Sequence, residues 1–184
     1  MNTAILIFLL ASAVLLAMLL AGRLGRIWFK YRGDRVVTCP ETKQAAGVAL
    51  DMKHAAWSAI GHPPGLRLET CSRWPERQGC GQECLRQIEE SPENCLVRNI
   101  LTKWYEGKSC AICGKPVGDI HWVDRKPALL SPEQCTVEWA QVRPEAVPSV
   151  LETHAPVCWN CHIMQTFCKE HPEMVVDRSR AARL

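Results

Sequence analysis

Hydrophobic and polar positions divide the chain into two textures. From Ala4 to Ala21 it reads AILIFLLASAVLLAMLLA, with Ser12 as the only polar side chain. A helix of that length rises about 27 Å, and with its flanks it crosses a bilayer. Beyond it the pattern shortens and mixes. Val36 to Leu50, VVTCPETKQAAGVAL, holds two short apolar runs around Pro40-Glu41-Thr42-Lys43-Gln44 and predicts a hairpin with Cys39 at its turn. Met52 to Ile60 predicts a short helix stopped by Gly61 and Pro63-Pro64-Gly65. Leu66 to Thr70 alternates like a strand delivering Cys71, and Gln82 to Glu90 is helical in character. Ser91-Pro92-Glu93 supplies an N-cap, a proline at the first helical position and an acid in the first turn. It predicts a helix to about Glu106, ended by Gly107, with Cys95, Ile100 and Trp104 along one face.

After Gly107, Val117 to Val123 and Thr136 to Trp139 read as strands flanking a loop that contains Lys126-Pro127 and Ser131-Pro132. Helices are predicted over Pro144 to His154 and Ile163 to Glu170, the latter ending before Pro172. Val175 to Leu184, with Arg178, Arg180 and Arg183, reads as a mobile tail. The expected fold is a single N-terminal transmembrane helix plus small cysteine-rich α+β domains stabilised by metal. Its boundaries are an anchor with a basic flank over 1–32, a cysteine-rich subdomain over 33–107, a second over 108–174 and a tail over 175–184.

Charge adds a direction. The chain has 184 residues with 22 Lys and Arg against 19 Asp and Glu, all after residue 22. The remainder is about a quarter charged, the ordinary value for a soluble domain, which excludes a disordered chain and a polytopic membrane protein. Arg23, Arg26, Lys30, Arg32 and Arg35 follow the apolar run against one acid, Asp34. The positive-inside bias places the C-terminal side in the cytoplasm, and Trp28, Phe29 and Tyr31 fit an interfacial aromatic belt there. A cleaved signal peptide would carry its basic residues ahead of the apolar run. The expectation is a single-pass protein of a bacterial-type inner membrane with a cytoplasmic C-terminal domain. Ala13, Ala17, Ala21 and Gly25 form a small-residue stripe suited to another membrane helix, either a second protein or a second copy.

Eleven cysteines then need a role. In a reducing cytoplasm thiols stay free unless they bind metal or do redox work. Cys110-Ala-Ile-Cys113-Gly and the distant Cys158-Trp-Asn-Cys161 are the strongest pattern. A two-residue gap lets both thiolates of a tight turn reach one ion, and two such turns complete the tetrahedral sulfur set that zinc prefers. Gly114 suits the turn because it tolerates positive φ. The pattern resembles a zinc ribbon, which implies that Cys110, Cys113, Cys158 and Cys161 ligate zinc in the 108–174 subdomain. The spacer from Gly114 to Val157 is longer than that of common ribbons, so an elaborated pair of knuckles is an equal expectation.

Cys158-Trp-Asn-Cys161-His162 also satisfies the attachment signature of c-type haem, with His162 axial and Met164 or Met174 opposite. Haem attachment requires the oxidising side of the membrane and leaves Cys110 and Cys113 unexplained. Cys39, Cys71, Cys80 and Cys84 lie among turn formers and make a candidate second site for zinc or an iron–sulfur cluster, with Cys95 as a substitute ligand or a buried thiol. His121, His154 and His162 flank the later pairs as substitutes or supporting donors. Cys135 and Cys168 have no assigned role.

No H-E-x-x-H, glycine-rich phosphate loop or G-x-S-x-G occurs, and a closed sulfur tetrad keeps no open position for catalysis. Net charge is +3, without the basic stripe and interleaved aromatics of a nucleic-acid binder. The sequence therefore predicts a non-catalytic, membrane-tethered, zinc-binding interaction or assembly module with a cytosolic protein partner. Its competitors are an electron-transfer subunit carrying iron–sulfur or c-type haem, and a thiol-based metal or redox sensor.

Overall fold

The computed structural model describes residues 3–60, 62–76 and 79–174. The chain forms two compact units, residues 1–99 and 100–184. The predicted tail, 175–184, lies outside the described residues.

The first unit begins with α1, Thr3–Tyr31, a 29-residue helix long and apolar enough to cross a membrane. None of its most apolar window is buried in the protein. The helix does not end where the apolar run ends. Its last turns carry Ile27 and Tyr31 into the core, and the Arg23 guanidinium donates to the His62 carbonyl at 2.7 Å. Tyr31, read from sequence as a belt residue, is therefore a core residue, whereas Trp28 and Phe29 are exposed.

Strands β1, Arg35–Thr38, and β2, Ala45–Leu50, form the predicted hairpin, and β3, Leu68–Cys71, pairs with the other edge of β2, all antiparallel. Between β2 and β3 lies α2, Met52–Ser58, capped by the Asp51 carboxylate, which accepts from the His54 N–H at 2.9 Å. Val37, Val48, Leu50, Leu68, Ala55 and Ala59 form the core with Ile27, Tyr31 and Ile88. Ile88 comes from α3, Leu85–Glu90.

Arg35 differs from its expected place in the basic flank. It is fully buried, with its guanidinium donating to the carbonyls of Pro92 and Lys30. The helix predicted from Ser91 is displaced by the same packing. Val36 N–H takes the Cys95 carbonyl at 2.8 Å and Val97 N–H donates to Asp34 O at 3.1 Å, so α4 begins only at Val97 and runs to Tyr105. Cys95 consequently precedes the helix instead of sharing its face with Ile100 and Trp104.

In the second unit, β4, Ala128–Leu130, is the centre of a three-stranded antiparallel sheet, flanked by β5, Thr136–Val137, and β6, Ala155–Val157. The predicted strand over Val117–Val123 is absent among the described residues, which place turns and one isolated bridge there. Helix α5, Val147–Thr153, follows a proline-started 3-10 turn, and α6, Trp159–Glu170, begins four residues before its predicted start. Tyr105 anchors this unit. Its hydroxyl donates to the Ala128 carbonyl at 2.6 Å and accepts from Trp139 Nε1 at 3.1 Å, and Trp104, Tyr105 and Trp139 pack edge to face.

Candidate metal centre

Two local devices bring the four later cysteines together. The first is a tight hairpin. Cys110 N–H donates to the Lys115 carbonyl at 2.8 Å, Gly114 N–H returns to the Cys110 carbonyl at 2.9 Å, and Ser109 bridges Pro116. Gly114 sits at φ +69°, the conformation its position demands. The second device is a strand–helix junction. Cys158 is the N-cap of α6 and Cys161 lies in its first turn, so the expected second tight turn is a helix start instead. Ala111 N–H donates to the Pro156 carbonyl at 2.8 Å, which ties the hairpin to β6 two residues before Cys158.

The result is a group of four sulfurs, from Cys110, Cys113, Cys158 and Cys161, all within 4.8 Å of one another. Cys113 Sγ and Cys158 Sγ are 3.8 Å apart. A regular tetrahedron with metal–sulfur bonds of about 2.3 Å has edges of about 3.8 Å, so this spacing suits a single central ion. Cys110 and Cys161 are buried, and with Ala128, Leu130 and Val157 they make the local core. Cys113 is exposed.

The surroundings prepare the sulfurs unequally. Burial acts to raise the Cys110 thiol, but the backbone N–H groups of Cys113, Cys158 and Ile112 outweigh it and bring the thiol down to about 6. Burial raises Cys158 and Cys161, and the sulfurs they face add to it, Cys110 and Cys113 for the first and Cys158, Cys113 and Cys110 for the second. An arriving ion would displace the protons of the thiols that bind it.

The histidines stay outside the tetrad. His162 is 4% exposed, and its Nε2 lies 3.3 Å from Glu138 Oε1, while its Nδ1 is buried with no hydrogen-bond partner. His154 Nδ1 lies 2.8 Å from Thr153 Oγ1. The His162–Glu138 pairing had no signal in the sequence, because the two residues share no motif.

The four earlier cysteines also converge, but less tightly. The β1–β2 turn presents Cys39, and β3 runs back toward the start of β2, with Cys71 opposite Val48 and Ser72 N–H on the Gly47 carbonyl. Cys39 and Cys71 therefore share one end of the sheet. Gln87 of α3 bonds both the N–H and the carbonyl of Thr38, and Gln82 Oε1 accepts from Leu68 N–H, which brings the Cys80–Cys84 segment to that end. All four cysteines line one cavity of about 120 Å³. Among the described residues they do not close to the spacing of the later tetrad. Cys84 is buried and pushed up to about 11, first by burial and then by facing Cys71 and Cys80. Cys95 does not line the cavity, and its thiol donates to the Gln87 carbonyl at 3.6 Å. Cys135 and Cys168 are exposed thiols.

No protein-family model, curated protein or solved structure matches the chain.

Proposed function

We propose that the chain is a membrane-tethered module whose second unit is held together by one zinc ion on Cys110, Cys113, Cys158 and Cys161, and that its role is protein contact and assembly instead of catalysis. The observation that carries this reading is the closure of four sulfurs from two distant segments to within 4.8 Å. A multi-iron cluster spreads its thiolates over several irons and needs a wider cage, so the spacing favours a mononuclear centre. Four thiolates fill a tetrahedral ion's coordination and leave no position for water or substrate, which favours a structural role. The haem reading needs Cys158 and Cys161 for thioether bonds and His162 as an axial ligand. Those sulfurs lie among the other two, and Glu138 engages the imidazole, so the geometry favours metal.

Tethering rests on α1. The helix continues without a break from its apolar run through the basic flank, and its last turns are packed into the first unit's core. Arg23, Arg26, Lys30 and Arg32 stay exposed around the end of the span, where cytoplasmic orientation expects them.

Colour and metal content test the centre. Full-length protein purified in detergent is expected to be colourless and to carry zinc that a mild chelator removes slowly. Brown protein, or a Soret band from covalent haem, overturns the zinc reading, and rapid exchange of zinc with free chelator favours the sensor. Reporter fusions at Leu184 test the orientation: a fusion active only on the outer side of the membrane reverses it.

A further inference from the structure

The turn that carries Cys39 repeats the backbone of the Cys110 hairpin. Cys39 N–H donates to the Gln44 carbonyl at 2.8 Å, five residues on, as Cys110 donates to Lys115. Lys43 N–H returns to the Cys39 carbonyl at 2.8 Å, as Gly114 returns to Cys110. The returning residue has positive φ in both, +58° at Lys43 and +69° at Gly114. The N–H three residues beyond the cysteine faces the sulfur in both, Thr42 at Cys39, where the Thr42 side chain adds to it, and Cys113 at Cys110, with the N–H two residues beyond, Glu41 or Ile112, contributing less. Thr42 stands where the other turn has its second cysteine. A lysine at positive φ is strained in a way that a helical or extended backbone would avoid, so the turn is held by something other than local preference.

The missing second sulfur is supplied from elsewhere. Cys71, Cys80 and Cys84 line the same cavity as Cys39. Cys84 directly precedes α3, which carries it beside the other three. Arg73 is in the cavity wall, with its guanidinium donating to Gln44 Oε1 at 2.7 Å. Its Nε–H is buried and finds no acceptor. A metal-bound thiolate would accept that hydrogen, while the outer edge of the guanidinium pairs with Glu76 at 3.7 Å.

We propose that Cys39, Cys71, Cys80 and Cys84 form a second tetrathiolate site, which takes one divalent, thiophilic cation of the zinc class. The cavity admits an ion, and changes of cysteine rotamer draw the sulfurs onto it. Each thiol that ligates gives up its proton, so loading releases protons to solvent. The site does not depend on the Cys110 tetrad, because its four cysteines all belong to the first unit.

Cobalt titration of the reduced, metal-stripped full-length protein in detergent tests this, because Co²⁺ in a tetrahedral thiolate site gives sulfur-to-metal charge-transfer and intense d–d bands. Wild type is expected to bind two equivalents, and the Cys71→Ser/Cys84→Ser variant to lose one of them. A Cys71→Ser/Cys84→Ser chain that keeps the full wild-type number overturns the proposal. If instead Cys110→Ser/Cys158→Ser keeps the full number, the first centre fails while this one stands. Cys80→His guards against loss through misfolding. It is expected to retain the equivalent with shifted d–d bands as one sulfur becomes nitrogen, and bands superimposable on wild type would place Cys80 outside the site and overturn the assignment.

Discussion

The two cysteine groups differ more in the origin of their ligands than in backbone. In the second unit the first hairpin supplies two sulfurs, Cys110 and Cys113, and the α6 junction supplies two more, so two local pairs meet and the set closes. In the first unit a hairpin of the same hydrogen-bond pattern supplies only Cys39, and the remaining sulfurs come from the end of β3 and the approach to α3. A two-residue gap makes a pair by covalent geometry alone, whereas a set gathered from three elements depends on the whole unit being folded. The apolar cores differ in the opposite sense. Cys110 and Cys161 are two of the five buried residues in the second unit's metal-side core, whereas Cys84 is the one cysteine among the eleven buried residues of the first unit's core, which is otherwise built on residues such as Ile27, Val37, Val48, Leu50, Leu68 and Ile88.

The largest test of that difference removes the metal ligands of the second unit. Structural zinc sites contribute about 10–16 kcal/mol of apparent binding energy, comparable to the whole stability of a domain. Cys110→Ser with Cys158→Ser is expected to abolish the protease resistance of residues 100–174 while a fragment containing α1 and the β1–β3 sheet survives. Limited proteolysis in detergent, read by mass spectrometry, checks this. Equal survival of both units would mean that the tetrad is not what holds the second one.

The first unit should break elsewhere. Arg35 is buried, and its guanidinium joins the end of α1, at Lys30, to the segment before α4, at Pro92. Arg35→Ala removes two charge-assisted hydrogen bonds and leaves two carbonyls without them, an expected loss of about 3 kcal/mol in the first unit. Denaturant unfolding followed by exchange of backbone amides in β1 and β2 would show it, with the second unit's amides unchanged. Tyr105→Phe is the smaller counterpart in the second unit. It strips the acceptor from Trp139 and the donor from Ala128, with an expected cost of about 2 kcal/mol confined to that unit's transition.

Sequence pattern disclosed what is local and missed what is made by packing. The hairpin over Val36–Leu50 and the α2 helix were legible because short apolar runs and the breakers around them lie within a few residues of each other, although the Asp51 cap was not read. Strand β4 was not, because all three of its residues are buried and so show no alternation, and Pro127 just before it reads as loop. Strand β6 was hidden by Pro156, which is tolerated there because β6 is an edge of the sheet. The cap at Ser91 was a sound helix signal that lost to tertiary bonds from Val36 and to Asp34. Among cysteines, the CxxC pairs announced themselves, and the shared cavity of Cys39, Cys71, Cys80 and Cys84 needed the fold to bring its three segments together.

The finest test concerns the two hairpins themselves, at the one position where sequence and backbone disagree. Gly114 and Lys43 occupy the same place, returning an N–H to the cysteine carbonyl at positive φ. Glycine meets no steric penalty in that conformation, whereas a residue with a Cβ loses about 1 kcal/mol. Gly114→Ala is therefore expected to destabilise the second unit by about 1 kcal/mol, and nothing lies within 4 Å of the added Cβ, so the cost is conformational and not steric crowding. Lys43→Gly is expected to stabilise the first unit by somewhat less, since the strain relieved is partly offset by the greater freedom of glycine in the unfolded chain. Paired denaturant midpoints, measured with metal at saturation, read both shifts. Opposite signs mean that the two turns share one backbone device, with two cysteines in one and a single cysteine in the other. Shifts of the same sign would mean that the shared hydrogen bonds arise from unrelated constraints, and that Cys39 reaches its cavity by a different route from the one Cys110 takes to the tetrad.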